Sequence, residues 1–393
     1  MNAYVNPAQG QQTYTLSQSN AVLENYIRAH DFERPTLVIS RDRVAAQYAA
    51  LADGLGEARI HYAVKANPER AVLETLRDCG SAFDCASRGE IEGVLALGVS
   101  PQDISFGNTI KRASDIAFAW AAGVQTFAAD AAAELDKIAA HAPGAQVYIR
   151  LLVGAAEADW PLSKKFGCAP DMALELLAHA RDLGLDPVGL SFHVGSQTRQ
   201  ARFWQAPLAQ VAAVWSAARA AGFDLRLINI GGGFPAFYGD DIQGATDYAA
   251  EVMTYVRAAF PGATRIMAEP GRAMVAEAGM IAAEVLLVSR KSHDDLHRWV
   301  YLDIGKFSGL AETMDEAIRY QFVTNRDHED TAPCILAGPS CDSADVLYIN
   351  RPVSLPVGLM AGDKVMIRSC GAYTTTYASI GFNGFPPLDV VVI

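Results

Sequence analysis

"RIHYAVKANPER", residues 59–70, decides how the chain is read. Ile60, Tyr62, Ala63 and Val64 form the apolar run of a buried strand in a parallel sheet. Asn67-Pro68 closes it, because proline donates nothing to a strand ladder and asparagine favours turns. An amine, Lys65, stands at the carboxyl end of that run, where barrels of parallel strands keep their active sites. A partly desolvated amine there has a lowered pKa, and its neutral form attacks aldehydes to give a Schiff base. A lysine whose stem lines the rim and whose head stays in water fits the same stretch.

Working outward, seven more apolar runs follow at regular spacing: "AFDCAS" (82–87), "ISFGN" (104–108), "QTFAA" (125–129), "VYIRLL" (147–152), "VGLSFHVG" (188–195), "LRLINIGGG" (225–233) and "RIMAEPG" (265–271). Between them lie segments with helical spacing, such as "AVLETLRD" and "MALELLAHARDLG", several ending at the glycine that commonly follows a helix. Eight strand–helix units within residues 41–275 predict a (β/α)8 TIM barrel rather than an open sheet. From residue 276 to 393 the texture changes to short β-type runs broken by Gly, Pro and Asp, which predicts a C-terminal antiparallel β domain. Residues 1–40 form an N-terminal segment, and "PTLVIS" (35–40) either joins the β domain or leads into the barrel.

The bulk properties narrow the function classes. The chain has 393 residues, 51% hydrophobic and 19% charged, with a formal net charge of -12, which is globular composition with ample apolar surface for a core. No Lys/Arg run exists, and an acidic chain is repelled by phosphates, so nucleic acid is not an expected partner. No apolar stretch reaches the length of a membrane span. The first twenty residues lack a basic region followed by an apolar run, so no secretory signal is expected. Six scattered cysteines without a Cys-x-x-Cys pair read as reduced thiols, neither a disulfide framework nor a metal site; cytoplasmic location is the expectation.

Two further motifs carry chemistry. In "INIGGGFP" (228–235), three glycines directly after a strand let backbone N–H groups converge on an anion. This is not the G-x-G-x-x-G pattern, so a dinucleotide reading is weak. "AEPGR" (268–272) follows the eighth strand, and Arg272 offers a planar cationic fork for phosphate oxygens. Barrels often bind phosphate with the loops after strands seven and eight, where both motifs fall. A reactive lysine with a phosphate cradle on one face points to pyridoxal 5′-phosphate. Glu269 then becomes the partner of the pyridine nitrogen, His193 in "SFHVGSQ" stands beside the ring, and Ser196 bonds the phosphate. Taken alone, His193 is a satisfied rim histidine and each glycine motif is a turn.

The ordered set "YAVKANP", "FDCASRGEI", "SFHVGSQ", "INIGGGFP", "AEPGR", "GPSCDSADVL" and "GAYTTTY" resembles the alanine-racemase-like (fold-type III) pyridoxal-phosphate decarboxylases, specifically the ornithine/lysine decarboxylases of the bacterial branch. The resemblance covers nearly the whole chain. It implies that Lys65 bonds the cofactor aldehyde, Glu269 pairs with the ring nitrogen and His193 stacks on the ring. It gives Ser196, Gly231, Gly232, Gly233, Arg272 and Tyr373 to the phosphate, with Asp84 and Arg150 as supporting polar residues. It makes Cys341 the proton donor to the substrate carbon after carbon dioxide leaves, and Asp342 the carboxylate for the distal ammonium. Asp315, in "DIGKFSGLAETMDEAIRY" (303–320), aligns best as a second such carboxylate, with Glu312 and Glu316 close by; an ordinary acidic helix face is the plainer reading of that segment. The family implies a homodimer whose active sites take Cys341 and Asp342 from the partner subunit.

The implied activity is decarboxylation of L-ornithine, and of L-lysine, to putrescine and cadaverine in polyamine biosynthesis. One methylene of substrate length is worth only about 1–3 kcal/mol of discrimination. Asn229 stands where many relatives carry aspartate; an amide still bonds the backbone, so the departure carries little weight. Diaminopimelate decarboxylase shares the glycine run and "EPGR" but resembles "CES" where this chain has "CDS". Carboxynorspermidine decarboxylase ranks lower, and arginine decarboxylases of this fold are set aside as longer chains. A non-catalytic regulatory homologue would have lost cofactor residues, yet Lys65, Glu269, Arg272 and Cys341 are all present.

Overall fold

The computed structural model describes residues 3–6, 12–154 and 165–393, and residues of the N-terminal stretch read for a secretory signal lie partly outside that range. The chain divides into two compact units. One comprises Gln47–Pro235 and Ile242–Ala273; the other comprises the described residues of Met1–Ala46 with Ala236–Asp241 and Met274–Ile393.

The first unit is a closed barrel of eight parallel strands. They are Arg59–Ala63, Ala82–Cys85, Ile104–Phe106, Thr126–Ala129, Gln146–Arg150, Asp186–Ser191, Leu227–Asn229 and Arg265–Ala268. The eighth closes on the first through Met267 opposite Arg59. Every run read from the sequence supplies one strand, but the strands stop earlier than the apolar runs do. The seventh ends at Asn229, before the glycines, and the first ends at Ala63, so that Lys65 sits in a 3-10 turn, Val64–Ala66. Those trailing residues form the rim of the barrel, where apolar neighbours are needed but ladder bonds are not. Ala128, Tyr148, Val188, Leu227 and Met267 pack together as a core cluster. Outside the sheet, helix Arg70–Asp78 buries Val72, Leu73 and Leu76 on one face, as its three- and four-residue spacing dictates.

The second unit is a β domain centred on the long strand Gly279–Ser289. That strand pairs antiparallel with Thr36–Ile39, Arg298–Leu302 and Lys364–Ile367. "PTLVIS" therefore joins the β domain. The sheet is mixed rather than purely antiparallel, because Arg298–Leu302 runs parallel to Thr331–Ala337 and Thr36–Ile39 parallel to Asp389–Val392. Parallel pairing needs a long crossover, and residues 303–330 provide one; residue periodicity marks a strand but not its direction. Leu23, Ile27, Val38, Met280, Ala282, Val323 and Met366 form its core. Among the described residues, no helix is long and apolar enough to cross a membrane.

Candidate active site

The carboxyl ends of the barrel strands gather most of the residues singled out from the sequence. The turn carrying Lys65 is shaped by Tyr62, whose hydroxyl donates to Asn67 O at 2.9 Å, and by Asn67 Oδ1, which accepts Glu69 N–H at 2.9 Å. Lys65 is exposed, not desolvated as the sequence reading expected: it follows the end of the strand, in the turn, instead of lying within the sheet. Its positive charge acts on Asp84, His193 and Glu269, pulling the pKa of each downward.

Asp84, on the second strand, is buried and accepts a hydrogen bond from Ser105 Oγ at 3.0 Å. Burial, then repulsion by Glu269, raises its pKa well above the usual carboxylate range, with Lys65 and Ser105 opposing. A Cβ at Gly107 would lie 2.0 Å from Asp84 Oδ1, so only glycine leaves room for that carboxylate. Glu269 is also raised by burial; the Asn229 amide and the charges of Arg150 and Lys65 pull it back. His193 is lowered to about 3 by burial and by Arg150 and Lys65, so it presents an uncharged ring. Arg150 also stacks its guanidinium over Phe166, 5.1 Å from the ring centroid.

The loops after strands six, seven and eight meet at the glycine run. Gly231 and Gly233 have φ of 68° and 103°. A Cβ on Gly231, Gly232 or Gly233 would come within 2.3, 2.7 or 2.5 Å of the backbone oxygens of Phe192, Glu269 and Gly195. The three glycines therefore form a cradle that no side chain can enter. Beside it, buried Arg272 donates from Nη2 to Ser196 Oγ at 3.3 Å.

The donor set fits pyridoxal 5′-phosphate on two counts. The glycine cradle with Arg272 and Ser196 suits a phosphate, and two buried carboxylates that repel each other suit a cationic ring nitrogen. Among the described residues, no cluster of three or more His, Cys, Asp or Glu is placed to hold a metal ion.

Tyr373, Cys341, Asp342 and Asp315 belong to the β unit. Tyr373 has φ of 59°, a strained setting for a bulky side chain of the kind that gathers at functional positions. Cys341 and Asp342 are exposed on a loop whose backbone is firmly held. Asn383 Oδ1 accepts the Cys341 N–H at 2.8 Å, and Asp342 Oδ1 accepts that of Ala344 at 2.8 Å. Below them, buried Asp345 accepts the N–H groups of Lys306 at 2.7 Å and Ser340 at 3.2 Å. The acidic helix face read over 303–320 is corrected: Ala311–Glu316 is a 3-10 turn broken at Met314 and Asp315. Asp315 is exposed, whereas Glu312 and Glu316 are buried. Glu316 is held by Arg351 at 3.1 Å and by Asn350 N–H at 2.6 Å, which leaves Asp315 the accessible carboxylate of the three.

Sequence reading passed over several residues that shape the site. Ser105 and Gly107 place Asp84, and Asp345 holds the cysteine loop. Asn229, given little weight from the sequence, bonds both Gly231 and Glu269. Glu90, whose carboxylate accepts Ala86 N–H at 2.6 Å, was detectable. Ser87 with Glu90 three residues later is the spacing of a helix cap, and Ser87 Oγ accepts Glu90 N–H at 3.3 Å.

Comparison with known proteins agrees with this geometry. The chain is 35% identical over 359 residues to the lysine/ornithine decarboxylase of Selenomonas ruminantium, covering 89% of this chain and 87% of that one. Its structure is similar to that of the Vibrio vulnificus lysine/ornithine decarboxylase complexed with cadaverine (TM-score 0.83, 31% identity, 95% and 98% covered). It is also similar to the arginine decarboxylase of Paramecium bursaria Chlorella virus (TM-score 0.85, 31% identity, 95% and 100% covered). That viral enzyme aligns along its whole length, so length does not set arginine decarboxylases apart from this chain. Residues 41–276 match the family model of the pyridoxal-dependent decarboxylase pyridoxal-binding domain, and the chain belongs to the pyridoxal-dependent decarboxylases.

Proposed function

We propose that the chain decarboxylates a basic L-amino acid, ornithine and lysine first, to putrescine and cadaverine in polyamine biosynthesis. The observation that carries this reading is the barrel rim. There an exposed lysine, two mutually repelling buried carboxylates and a side-chain-free glycine cradle next to Arg272 meet on one face. Bound pyridoxal 5′-phosphate supplies an electron-withdrawing ring that takes up the electron pair left when carbon dioxide departs.

The chain's own residues divide the remaining work. Lys65 is the amine for the cofactor aldehyde. Gly231, Gly232, Gly233, Ser196, Arg272 and Tyr373 would hold the phosphate. Glu269 would pair with the ring nitrogen and uncharged His193 would lie against the ring, with Asp84 and Arg150 tuning the charge around Lys65. Cys341 gives its thiol proton to the carbon that lost the carboxyl group and is recharged from solvent, to which it is open. Asp342 and Asp315 pair with the distal ammonium, a charge that is expensive to bury alone.

We assign the chain to a homodimer in which Cys341 and Asp342 serve the partner's barrel. Tyr377, Ile380, Phe382 and Phe385 support this, as a run of exposed apolar side chains, Ile380 at 89%, that a second copy would cover. Six free cysteines suit the reducing cytoplasm, where we place it. The domain division we propose is a barrel over 41–275 and a β domain over 276–393, joined by part of 1–40.

The test is a competition assay. Protein with added cofactor receives equal L-ornithine, L-lysine and L-arginine, with diaminopimelate and carboxynorspermidine in parallel, and the amines are quantified by mass spectrometry. Putrescine or cadaverine as the main product supports the reading. Agmatine, or product only from the parallel substrates, replaces the substrate; no product from any of them favours a non-catalytic homologue.

A further inference from the structure

Asn229 ends the seventh barrel strand and is 1% exposed. Its Oδ1 accepts the Gly231 N–H at 2.8 Å, and its Nδ2 donates to Glu269 Oε1. The first bond dictates the second: a backbone N–H must meet an oxygen, so the amide nitrogen is left to face the carboxylate. The backbone closes the loop, since Glu269 N–H donates to Gly231 O at 2.8 Å. One side-chain amide therefore ties the glycine cradle to the carboxylate at the base of the same site.

The groups acting on Glu269 come from several strands. Arg150 and Tyr148 lie on the fifth, Lys65 follows the first, and Asp84 on the second repels it. Among them Asn229 is an uncharged donor. It stabilises the ionised carboxylate without adding a charge that would compete with a cationic ring.

We propose that Asn229 is a positioning residue for the cofactor. Its amide fixes Glu269 Oε1, leaves Oε2 for the ring nitrogen, and locks that carboxylate to the phosphate cradle in one piece. This rests on the reading of Glu269 as the ring-nitrogen partner. Asn229→Asp separates the two bonds: an aspartate oxygen still accepts the Gly231 N–H, but residue 229 no longer donates to Glu269. Two carboxylates then face each other and must either repel or share a proton.

The experiment titrates cofactor-free protein with pyridoxal 5′-phosphate and follows the absorbance of the bound form across neutral and mildly alkaline pH. Wild type, Asn229→Asp, Glu269→Gln and the double variant are compared, with melting temperatures of the cofactor-free proteins alongside. Asn229→Asp is expected to weaken cofactor binding roughly 10-fold, the scale of one lost hydrogen bond to a charged group. The deficit should grow as pH rises and both carboxylates ionise, with little change in melting temperature. In the Glu269→Gln background the substitution should lose its effect, because a glutamine at 269 donates to an aspartate at 229. A pH-independent affinity equal to wild type, or a penalty that persists unchanged in the Glu269→Gln background, overturns the proposal while leaving the cofactor reading intact. Wild-type protein that takes up no cofactor overturns both.

Discussion

The barrel rim and the Cys341–Asp342 loop bring reactive groups into place by opposite means. At the rim the side chains around the exposed Lys65 are buried or half-buried: Asp84 and Glu269 are forced upward in pKa and His193 downward to about 3, so the chemistry is set by desolvation. On the loop, Cys341 and Asp342 are exposed, and what is fixed is the backbone beneath them, pinned by Asp345 and Asn383. The rim carries its electrostatics already made, whereas the loop carries only geometry and takes its desolvation from whatever comes to cover it. A barrel can bury a charge because eight strands surround it; a loop on a sheet domain has neighbours on one side alone.

The most direct way to break this comparison is Lys65→Ala. If the rim is the chemical centre, decarboxylation falls by about 10⁴-fold or more, the scale seen when a covalent catalyst is removed. Borohydride treatment followed by mass spectrometry should then find no cofactor attached to the chain. A variant that still retains reduced cofactor would place the reactive amine elsewhere.

Cys341→Ala probes the other half. Loss of a proton donor lowers kcat by roughly 10²–10⁴-fold, but cofactor affinity and melting temperature should stay at wild-type values, because nothing at the rim depends on the thiol. An equal loss in cofactor binding would erase the distinction between the regions. Asp345→Asn sharpens it: the amide turns an N–H toward a backbone N–H, weakening the loop by about 1–3 kcal/mol. We expect kcat to fall several-fold and the β unit to melt earlier, with cofactor affinity unmoved.

The rim was more legible in the sequence than the loop, for physical reasons. Strand ends at a barrel mouth announce themselves, since a polar residue closing an apolar run, as Lys65, His193 and Glu269 do, breaks the expected pattern. All eight runs gave strands because each is short, mostly apolar and largely buried. Strand ends were overread, as at "LRLINIGGG", since rim residues stay apolar after the ladder stops. Cys341 and Asp342 had no such context: without the family resemblance, "CDSAD" is a turn with solvated acids. The broken turn at Asp315 was hidden because left-handed backbone at a non-glycine residue follows from tertiary contacts, here the grip of Arg351 and Asn350 on Glu316. Asn229 looked neutral because its role lies in a bond to a residue 40 positions away.

Desolvation at the rim also predicts a pH signature in the cofactor-free protein. Asp84 has a folded-state pKa above its ordinary 3.8, so the folded chain holds a proton that the unfolded chain releases. Stability from this group therefore falls as pH rises through that interval. His61 and His193 act oppositely: both drop from 6.5 to about 3, so the unfolded chain binds the extra protons and stability falls as pH drops below 6.5. Asp84→Asn should remove the fall in stability that sets in above pH 3.8 and leave the histidine-driven loss toward acid pH in place. It should also raise the cofactor-free melting temperature near neutral pH by about 2–4 °C, the shift that ~1 kcal/mol gives in a unit of this size, while activity falls. No change in the neutral melting temperature would mean that the carboxylate is not strained.

The smallest effect belongs to Asp315, and it tests whether the loop's rule of exposure extends along the β unit. Glu316 is already committed to Arg351 and Asn350, and Glu312 is buried, so Asp315 is the carboxylate left to meet a distal ammonium. An exposed carboxylate–ammonium pair is worth at most about 1 kcal/mol. Asp315→Asn should therefore raise KM for ornithine and lysine only a few-fold and leave kcat nearly unchanged, since the contact is made equally in ground and transition states. A loss of kcat instead would show that Asp315 is desolvated during turnover, and the loop side of the molecule would then share the rim's way of working. No change for Asp315→Asn, with a rise in KM for Glu312→Gln, would move the assignment to the buried acid.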